Sequence, residues 1–216
     1  MQSKTKINFG SESFRKYFVN TSWMFAERVI KLLLSFFVGI FLVRYLGPDQ
    51  FGILSYAVSF ALLFASLANF GLDNILVREL VKFPEEQNTI LGSAFMLRVV
   101  GSAAVLIITW FAVQINNESD DVALLIYIIS AGTIFQAFHV IEFFFQGKVQ
   151  AKFSASVQSS SAMLASLFRL LMILLSGGLV WFAFIQALEP ILIAAGFVLV
   201  FTLRRESILK WRFNKD

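Results

Sequence analysis

Six long apolar segments fill most of this 216-residue chain, and they constrain its fold more than any other feature. A helix that spans the hydrocarbon core of a bilayer needs about 20 mostly apolar residues. Within the bilayer every backbone amide and carbonyl must be bonded inside the protein, so such segments form helices. The sequence therefore predicts an all-α polytopic membrane protein with a six-helix transmembrane bundle at residues 20–203, with spans at about 20–46, 53–77, 90–115, 122–145, 153–175 and 179–203.

Composition separates this chain from soluble enzymes. Hydrophobic residues make up 58% of it and charged residues 15%, whereas a soluble domain carries about 25% charged residues. The chain has no cysteine and one histidine, which excludes disulfides and thiolate metal sites and argues against a protein-built zinc site. It contains no glycine-rich phosphate loop and no Ser-His-Asp arrangement. We therefore expect no enzymatic activity, no cofactor and no nucleic-acid partner.

Short polar connections separate the spans, so successive helices are expected to be antiparallel neighbours. The clearest are YLGPDQFG (45–52), NNESDD (116–121) and SGG (176–178). With a cytoplasmic N-terminus, thirteen of the 18 Lys and Arg residues fall on cytoplasmic segments and only Arg44 falls on an outer one. The positive-inside rule therefore predicts a cytoplasmic N-terminal segment at 1–19 and a basic cytoplasmic tail at 204–216.

Several ionisable residues lie inside the spans, where a charge near the helix centre costs about 2.5–3.5 kcal/mol. Such residues usually face a water-filled cavity or pair with each other. They are Glu27, Arg28, Lys31, Asp73, Arg98, His139, Glu142, Arg169 and Glu189. Their four positive and four negative charges, with the histidine apart, predict a polar pathway through the bundle but not the sign of its cargo.

The sequence leaves alternatives open for the charges nearest the helix ends. Glu27 and Lys31 are four residues apart and can pair along their own helix, and Arg28 can extend its side chain to the headgroups. His139 is one turn before Glu142, so it is either a proton-relay partner or a packing residue.

Three charges lie too deep in their spans to reach the interface easily, which favours a cavity between the helices. They are Arg98, Arg169 and Glu189. Pro190 follows Glu189 directly, and a proline inside a helix removes one backbone hydrogen bond and kinks the helix. Interrupted helices of this kind surround the binding sites of many transporters, so we predict a hinge at Pro190.

The segment SASVQSSSAMLAS, at 154–166, concentrates small residues in one half of the fifth span. Small side chains let two membrane helices approach closely. We therefore interpret this segment as a packing face rather than a binding site.

Four motifs, in order along nearly the whole chain, resemble those of Wzx-type polysaccharide flippases. FLVRYLGPDQFGILSYAVSF (41–60) resembles their first-loop signature, and NFGLDNILVREL (69–80) resembles the end of their second helix. IEFFFQGKVQAK (141–152) resembles the segment that closes their fourth helix, and KWRFNK (210–215) resembles the basic stretch before their seventh.

The resemblance implies the multidrug/oligosaccharidyl-lipid/polysaccharide (MOP) exporter superfamily, to which MATE transporters also belong. Its six-helix lobes enclose a cavity that opens alternately to each side of the membrane. The implied function is translocation of undecaprenyl-diphosphate-linked oligosaccharide repeat units across the bacterial cytoplasmic (inner) membrane, for O-antigen, lipopolysaccharide and other surface polysaccharides. The implied partners are the lipid-linked oligosaccharide, the lipid bilayer, a second six-helix half and other polysaccharide-assembly proteins.

The resemblance also implies roles for the in-span charges. Cations are expected to hold the diphosphate or acidic sugars, and by position these are Arg28, Lys31, Arg98 and, further out, Arg169. The resemblance implies one of two roles for the other in-span groups: coupling to a proton or sodium gradient, or pairing with those cations. These groups are Glu27, His139, Glu142 and Glu189.

Because superfamily members have two such lobes, we expect this chain to be an N-terminal six-helix half. It is then a truncated gene product, a sequencing fragment, or a half that assembles with a partner. Three other functions stay open: a drug or cation exporter of the same superfamily, a non-transport assembly factor of the polysaccharide pathway, and a non-functional truncated remnant.

Overall fold

The computed structural model of the protein describes residues 12–68 and 73–213, and within these ranges it is helical without β-strands. The all-α membrane fold predicted from the sequence is therefore confirmed. Its α-helices are α1 (Glu12–Ala68), α2 (Asp73–Lys82), α3 (Gln87–Asn116), α4 (Asp120–Gly132), α5 (Val140–Gly147), α6 (Ala151–Leu174) and α7 (Leu179–Leu203). Short 3-10 helices occur at Pro84–Glu86, Thr133–His139 and Ile208–Lys210.

Helix α1 bends at Gly47, inside the predicted Gly-Pro turn. Gly47 has φ 73° and ψ 171°, a conformation that side chains with a Cβ rarely adopt. Pro48 follows it and has no backbone amide to continue the hydrogen-bond ladder. The bend divides α1 into a first arm (residues 12–46) and a second arm (residues 48–68).

Five helical stretches are long and apolar enough to cross a membrane in the described part of the chain. They are Phe14–Ser66, Pro84–Asn116, Asp120–Gly147, Ala151–Leu174 and Leu179–Leu203. The first of them has 53 residues and contains the bend, so each of its arms is long enough for one crossing of about 20 residues. The bundle thus offers six crossing segments.

Helix bounds differ most from the predicted spans at 53–77. The second arm ends at Ala68, and Asp73–Lys82 forms the separate helix α2, which buries Leu76 and Leu80. Asp73 lies in the first turn of α2, where a carboxylate interacts favourably with the helix dipole. The four residues between them, in the NFGLDNILVREL motif, lie outside the described residues.

The predicted terminal segments are described only in part. Residues 1–11 of the N-terminal segment and residues 214–216 of the tail lie outside the described residues. Residues 12–19 already belong to α1, and the tail turns back across the start of α3, where the amide of Arg212 donates to the carbonyl of Asn88 at 3.2 Å.

Contacts between connections define two opposite ends of the bundle. At one, the hairpin end, the Tyr45 hydroxyl donates to the Gly177 carbonyl at 3.0 Å, and the Tyr56 hydroxyl donates to Glu118 Oε1 at 2.5 Å. At the other, the Ala151 amide donates to Asn20 Oδ1 at 2.6 Å. We call this second end the basic end, because it carries Arg15, Lys16, Arg78, Lys82, Lys148, Lys152, Arg204, Arg205, Lys210 and Arg212. That the basic end faces the cytoplasm stays a prediction.

Two apolar clusters hold the bundle together. One, near the hairpin end, joins both arms of α1 to α3, α4 and α7, and the other, near the basic end, joins α2, α3, α5, α6 and α7. Helices α4 and α7 cross closely at Gly132, where an added Cβ would lie 2.9 Å from Ala187 Cα. The outer surface is also apolar, as a lipid-facing surface requires, with exposed Phe25, Leu32, Leu63, Val100, Leu174 and Leu199.

Candidate functional site

A polar cavity of about 640 Å³ lies between the two arms of α1 and helices α6 and α7. We call it the inter-arm cavity. Its walls combine aliphatic side chains with hydroxyl, amide and charged groups. The polar members are Lys31, Ser35, Ser55, Ser59, Ser166, Arg169, Gln186 and Glu189. Three of the charges predicted from the sequence to line a pathway therefore share one cavity.

Arg169 and Glu189 form an ion pair across this cavity. Arg169 Nη2 lies 2.9 Å from Glu189 Oε2 and also donates to Gln186 Oε1 at 2.9 Å. Both side chains of the pair keep partial exposure, 18% for the arginine and 25% for the glutamate. A charge-assisted hydrogen bond of this length is among the stronger polar contacts in proteins, and this one joins α6 to α7.

Lys31 begins a chain of polar contacts that crosses three helices. Its ammonium donates to Gln158 Oε1 at 2.6 Å and lies 3.2 Å from Glu27 Oε1, the pairing along one helix that the sequence allowed. Gln158 Nε2 in turn donates to Glu142 Oε2 at 2.9 Å, and Gln146 Nε2 donates to Glu142 Oε1 at 3.2 Å. The buried amide of Gln158 therefore connects the cation on α1 to the carboxylate on α5.

His139 lies between this chain and a second, smaller cavity. Its Nδ1 is 4.0 Å from Glu142 Oε2, too far for a hydrogen bond, and its ring meets Phe197 edge-on at 6.0 Å. The smaller cavity has a volume of about 170 Å³ and is lined by Gln136, His139, Gln186, Glu189, Pro190 and Ile193. Gln186 and Glu189 line both cavities, so the two cavities adjoin at these side chains.

Pro190 lies inside α7, which is helical from Leu179 to Leu203. A proline has no amide to donate to the carbonyl four residues earlier, which here belongs to Gln186. The Gln186 carbonyl, beside the smaller cavity, therefore lacks the usual i+4 amide donor. The predicted hinge at Pro190 stays a prediction.

Arg98 occupies a different part of the bundle. It is 3% exposed, its Nη2 pairs with Asp73 Oδ1 at the start of α2, and its Nη1 donates to the Gln136 carbonyl at 3.5 Å. The guanidinium also lies 5.2 Å from the centre of the Phe143 ring. Arg98 thus connects α3 to α2, to the 3-10 segment and to α5, and it lines neither cavity.

Arg28 lies on the exposed surface of the first arm, outside the inter-arm cavity. It forms no ion pair with any acidic residue in the ranges that the structure describes. The four cations that the sequence grouped as one substrate pathway are therefore separated: Lys31 and Arg169 share the cavity, Arg98 is buried elsewhere, and Arg28 faces outward.

Three glutamines take part in these polar contacts or line these cavities, and sequence reasoning missed them. Gln158 is the single long polar side chain within SASVQSSSAMLAS, the segment interpreted as a packing face. Gln186 precedes Glu189 by three residues, and Gln136 precedes His139 by three, so each shares a helix face with an ionisable group. Across residues 12–68 and 73–213, no group of three or more His, Cys, Asp or Glu side chains comes together as a metal site requires.

Comparison with known families identifies one match. A family model described as "Polysaccharide biosynthesis protein" matches residues 18–215, nearly the whole chain and every residue of both cavities. No curated protein and no solved structure gives a significant match.

Proposed function

The chain belongs to the polysaccharide biosynthesis protein family, and we propose that it translocates undecaprenyl-diphosphate-linked oligosaccharide repeat units across the bacterial cytoplasmic membrane. Membership makes it a multi-pass membrane protein of polysaccharide synthesis or transport. The narrower assignment, to a Wzx-type flippase for O-antigen or a similar surface polysaccharide, is supported by the four motifs that resemble that family.

The observation that carries this proposal is the placement of Lys31 and Arg169 in one cavity between helices. An ammonium and a guanidinium are the groups that bind phosphate and carboxylate oxygens most strongly. Each is paired with a carboxylate, Lys31 with Glu27 at 3.2 Å and Arg169 with Glu189 at 2.9 Å. A diphosphate or an acidic sugar therefore binds by competing with these carboxylates for the same donors.

The same competition supplies a way to couple transport to an ion gradient. When a substrate anion takes the guanidinium of Arg169, Glu189 loses its cationic partner and faces a second negative charge, which repels it. A proton or a sodium ion removes this repulsion by neutralising Glu189. We therefore assign coupling to Glu189, with Glu142 and His139 as further candidates nearby.

Variants of the cavity cations test the proposal. In cells whose own copy is deleted, we expect Lys31→Gln and the charge-balanced double variant Arg169→Gln/Glu189→Gln to lower surface polysaccharide about tenfold or more. The measurement is surface polysaccharide per cell, normalised to the amount of protein extracted from the membrane. Arg28→Gln removes the same charge from the outer face of the same helix and serves as the matched control.

A clear result would contradict the proposal. If surface polysaccharide stays at the level of the unmodified chain in both cavity variants while each inserts normally, the cavity does not hold the substrate. A separate experiment identifies the coupling ion. A protonophore and a sodium ionophore are applied separately to cells with the unmodified chain, and the coupling ion is the one whose collapsed gradient stops export.

One observation favours a second candidate function, export of a cationic small molecule. Glu189 lines both cavities and can attract a cation as readily as it pairs with Arg169. In that case Glu189→Gln lowers resistance to a cationic drug and leaves surface polysaccharide unchanged. Under the flippase proposal the same variant lowers polysaccharide instead.

A further inference from the structure

A third cavity, of about 480 Å³, lies at the basic end of the bundle. We call it the basic pocket. It opens between the first turns of α1, the connection before α6 and the end of α7. Its charged lining, as far as the described residues go, is entirely cationic: Arg15, Lys16, Lys152 and Arg204.

Local contacts fix the walls of this pocket. The Asn20 side-chain oxygen accepts the Ala151 amide at 2.6 Å, which holds the first arm against the start of α6. Lys152 Nζ lies 4.9 Å from the centre of the Phe153 ring, and Arg204 Cζ lies 4.9 Å from the same centre. A cation from α6 and a cation from the end of α7 therefore converge on one aromatic ring.

The four pocket cations line one cavity together, whereas two other cations at the same end have acidic partners. Lys148 pairs with Glu206 at 3.2 Å and Arg78 pairs with Glu79 at 3.1 Å. None of the four pairs with an acidic side chain among those that the structure describes, at residues 14–66 and 73–213. Like charges around a shared space repel each other, and an anion held between them removes the repulsion.

The apolar part of the lining points to a lipid rather than a soluble anion. Lys16, Asn20 and Trp23 follow each other along one face of the first arm, so this face changes from charged to aromatic as the helix enters its apolar stretch. Val19 is 47% exposed and Trp23 is 45% exposed. Tryptophan at this depth is typical of the membrane interface, and clustered basic residues there bind anionic headgroups.

We propose that the basic pocket binds the phosphate headgroup of an anionic membrane phospholipid, with the glycerol and upper acyl chain against Val19 and Trp23. The cations bind the phosphate oxygens, and the phospholipid bridges the first arm, α6 and α7 from outside the inter-arm cavity. This site is independent of the proposed transport activity and uses none of the cavity residues.

Lipid binding to the purified chain tests the proposal. Native mass spectrometry in neutral detergent measures how much phosphatidylglycerol, or phosphatidylcholine as the neutral comparison, the protein retains. We expect Arg15→Gln/Lys152→Gln/Arg204→Gln to weaken phosphatidylglycerol binding about tenfold or more, because each interfacial cation contributes measurably to anionic-lipid affinity. The control Lys82→Gln/Arg205→Gln/Lys210→Gln removes equal charge from the same end and should change binding less than about twofold.

A second measurement uses the unmodified chain and does not depend on how the variants fold. Photoactivatable phosphatidylglycerol should crosslink to peptides that contain residues 15–23 or 149–153. Equal loss of binding in the two triple variants would overturn the proposal, since it would indicate general surface charge. Crosslinks confined to other regions, or full displacement of the lipid by inorganic phosphate at equal concentration, would overturn it too.

Discussion

Two arginine–carboxylate pairs lie inside this apolar bundle, and their surroundings differ. Arg98 and Asp73 join α3 to α2, and the arginine side chain is only 4% exposed. Arg169 and Glu189 join α6 to α7 beside two cavities, with both side chains partly exposed. The same chemistry thus connects helices in one place and presents exchangeable donors in the other.

Depth in a span therefore does not by itself identify a transport residue. A buried guanidinium without access to a cavity cannot meet a substrate, however central its position. Arg169 differs from Arg98 because it lines a cavity and can exchange its carboxylate partner for a substrate anion. Both properties depend on how the neighbouring helices pack. Substitutions at four positions test this distinction.

The largest effect is expected for Arg98→Ala. Removing one partner of a buried ion pair costs about 3–5 kcal/mol, and the lower figure applies here because Asp73 is half exposed. We expect the midpoint of thermal unfolding in detergent to fall markedly and the yield of inserted protein to drop. Arg98→Lys keeps the positive charge and should recover part of the loss. An unchanged midpoint for Arg98→Ala would instead place this arginine in a functional rather than a structural role.

A smaller effect is expected for Gln158→Leu. The substitution removes the hydrogen bonds to Lys31 and Glu142, and hydrogen bonds to charged groups contribute about 1.5–3 kcal/mol. Because Lys31 keeps Glu27 and Glu142 keeps Gln146, we expect a loss of about 2 kcal/mol. Denaturant unfolding measures it, and Ser156→Leu, two residues earlier on the exposed side of α6, controls for introducing a leucine into this helix. Equal stability of Gln158→Leu and the unmodified chain would show that the polar chain does not couple these helices.

Arg169→Gln should affect stability less than transport. Its pair is partly exposed, so the cost lies between that of surface pairs and that of buried pairs, about 1 kcal/mol. We expect the double variant with Glu189→Gln to recover the stability but not the surface polysaccharide. Recovery of both would mean that the pair acts only as a helix-to-helix contact.

The smallest effect is expected for Arg28→Gln. Arg28 is exposed and outside the inter-arm cavity, and exposed substitutions usually change stability by less than about 0.5 kcal/mol. Unfolding and surface polysaccharide should both match the unmodified chain. A loss of export with normal stability would return Arg28 to the pathway that the sequence proposed.

Much of the helical architecture follows from the sequence because each crossing is a local property of composition. Helices α3, α6 and α7 lie within a few residues of the predicted spans 90–115, 153–175 and 179–203. The separation of α2 from the second arm was missed, since the average apolarity of 53–77 hid the change from a continuous apolar run to an amphipathic helix that buries Leu76 and Leu80.

Which charges meet in space could not be read from the sequence. Arg28 and Lys31 are three residues apart, and only the rotation of the first arm against α6, fixed by contacts such as Lys31 with Gln158, decides which one faces the cavity. Arg98 meets Asp73 across 25 residues of chain because α2 folds back beside α3. Such pairings depend on tertiary packing, and the spacing of residues within a single span does not reveal which helices come into contact.

Because α1 bends at Gly47, a rotation about this residue would displace the whole first arm. At a rise of about 1.5 Å per residue, the axis from Gly47 to Lys31 is roughly 24 Å long. A swing of about 10° at that pivot would displace Lys31, midway along the arm, by roughly 4 Å, which exceeds the 2.6 Å separation of its ammonium from Gln158. A small change in two backbone torsions at one glycine would thus be enough to break the contact between the first arm and α6 at Gln158.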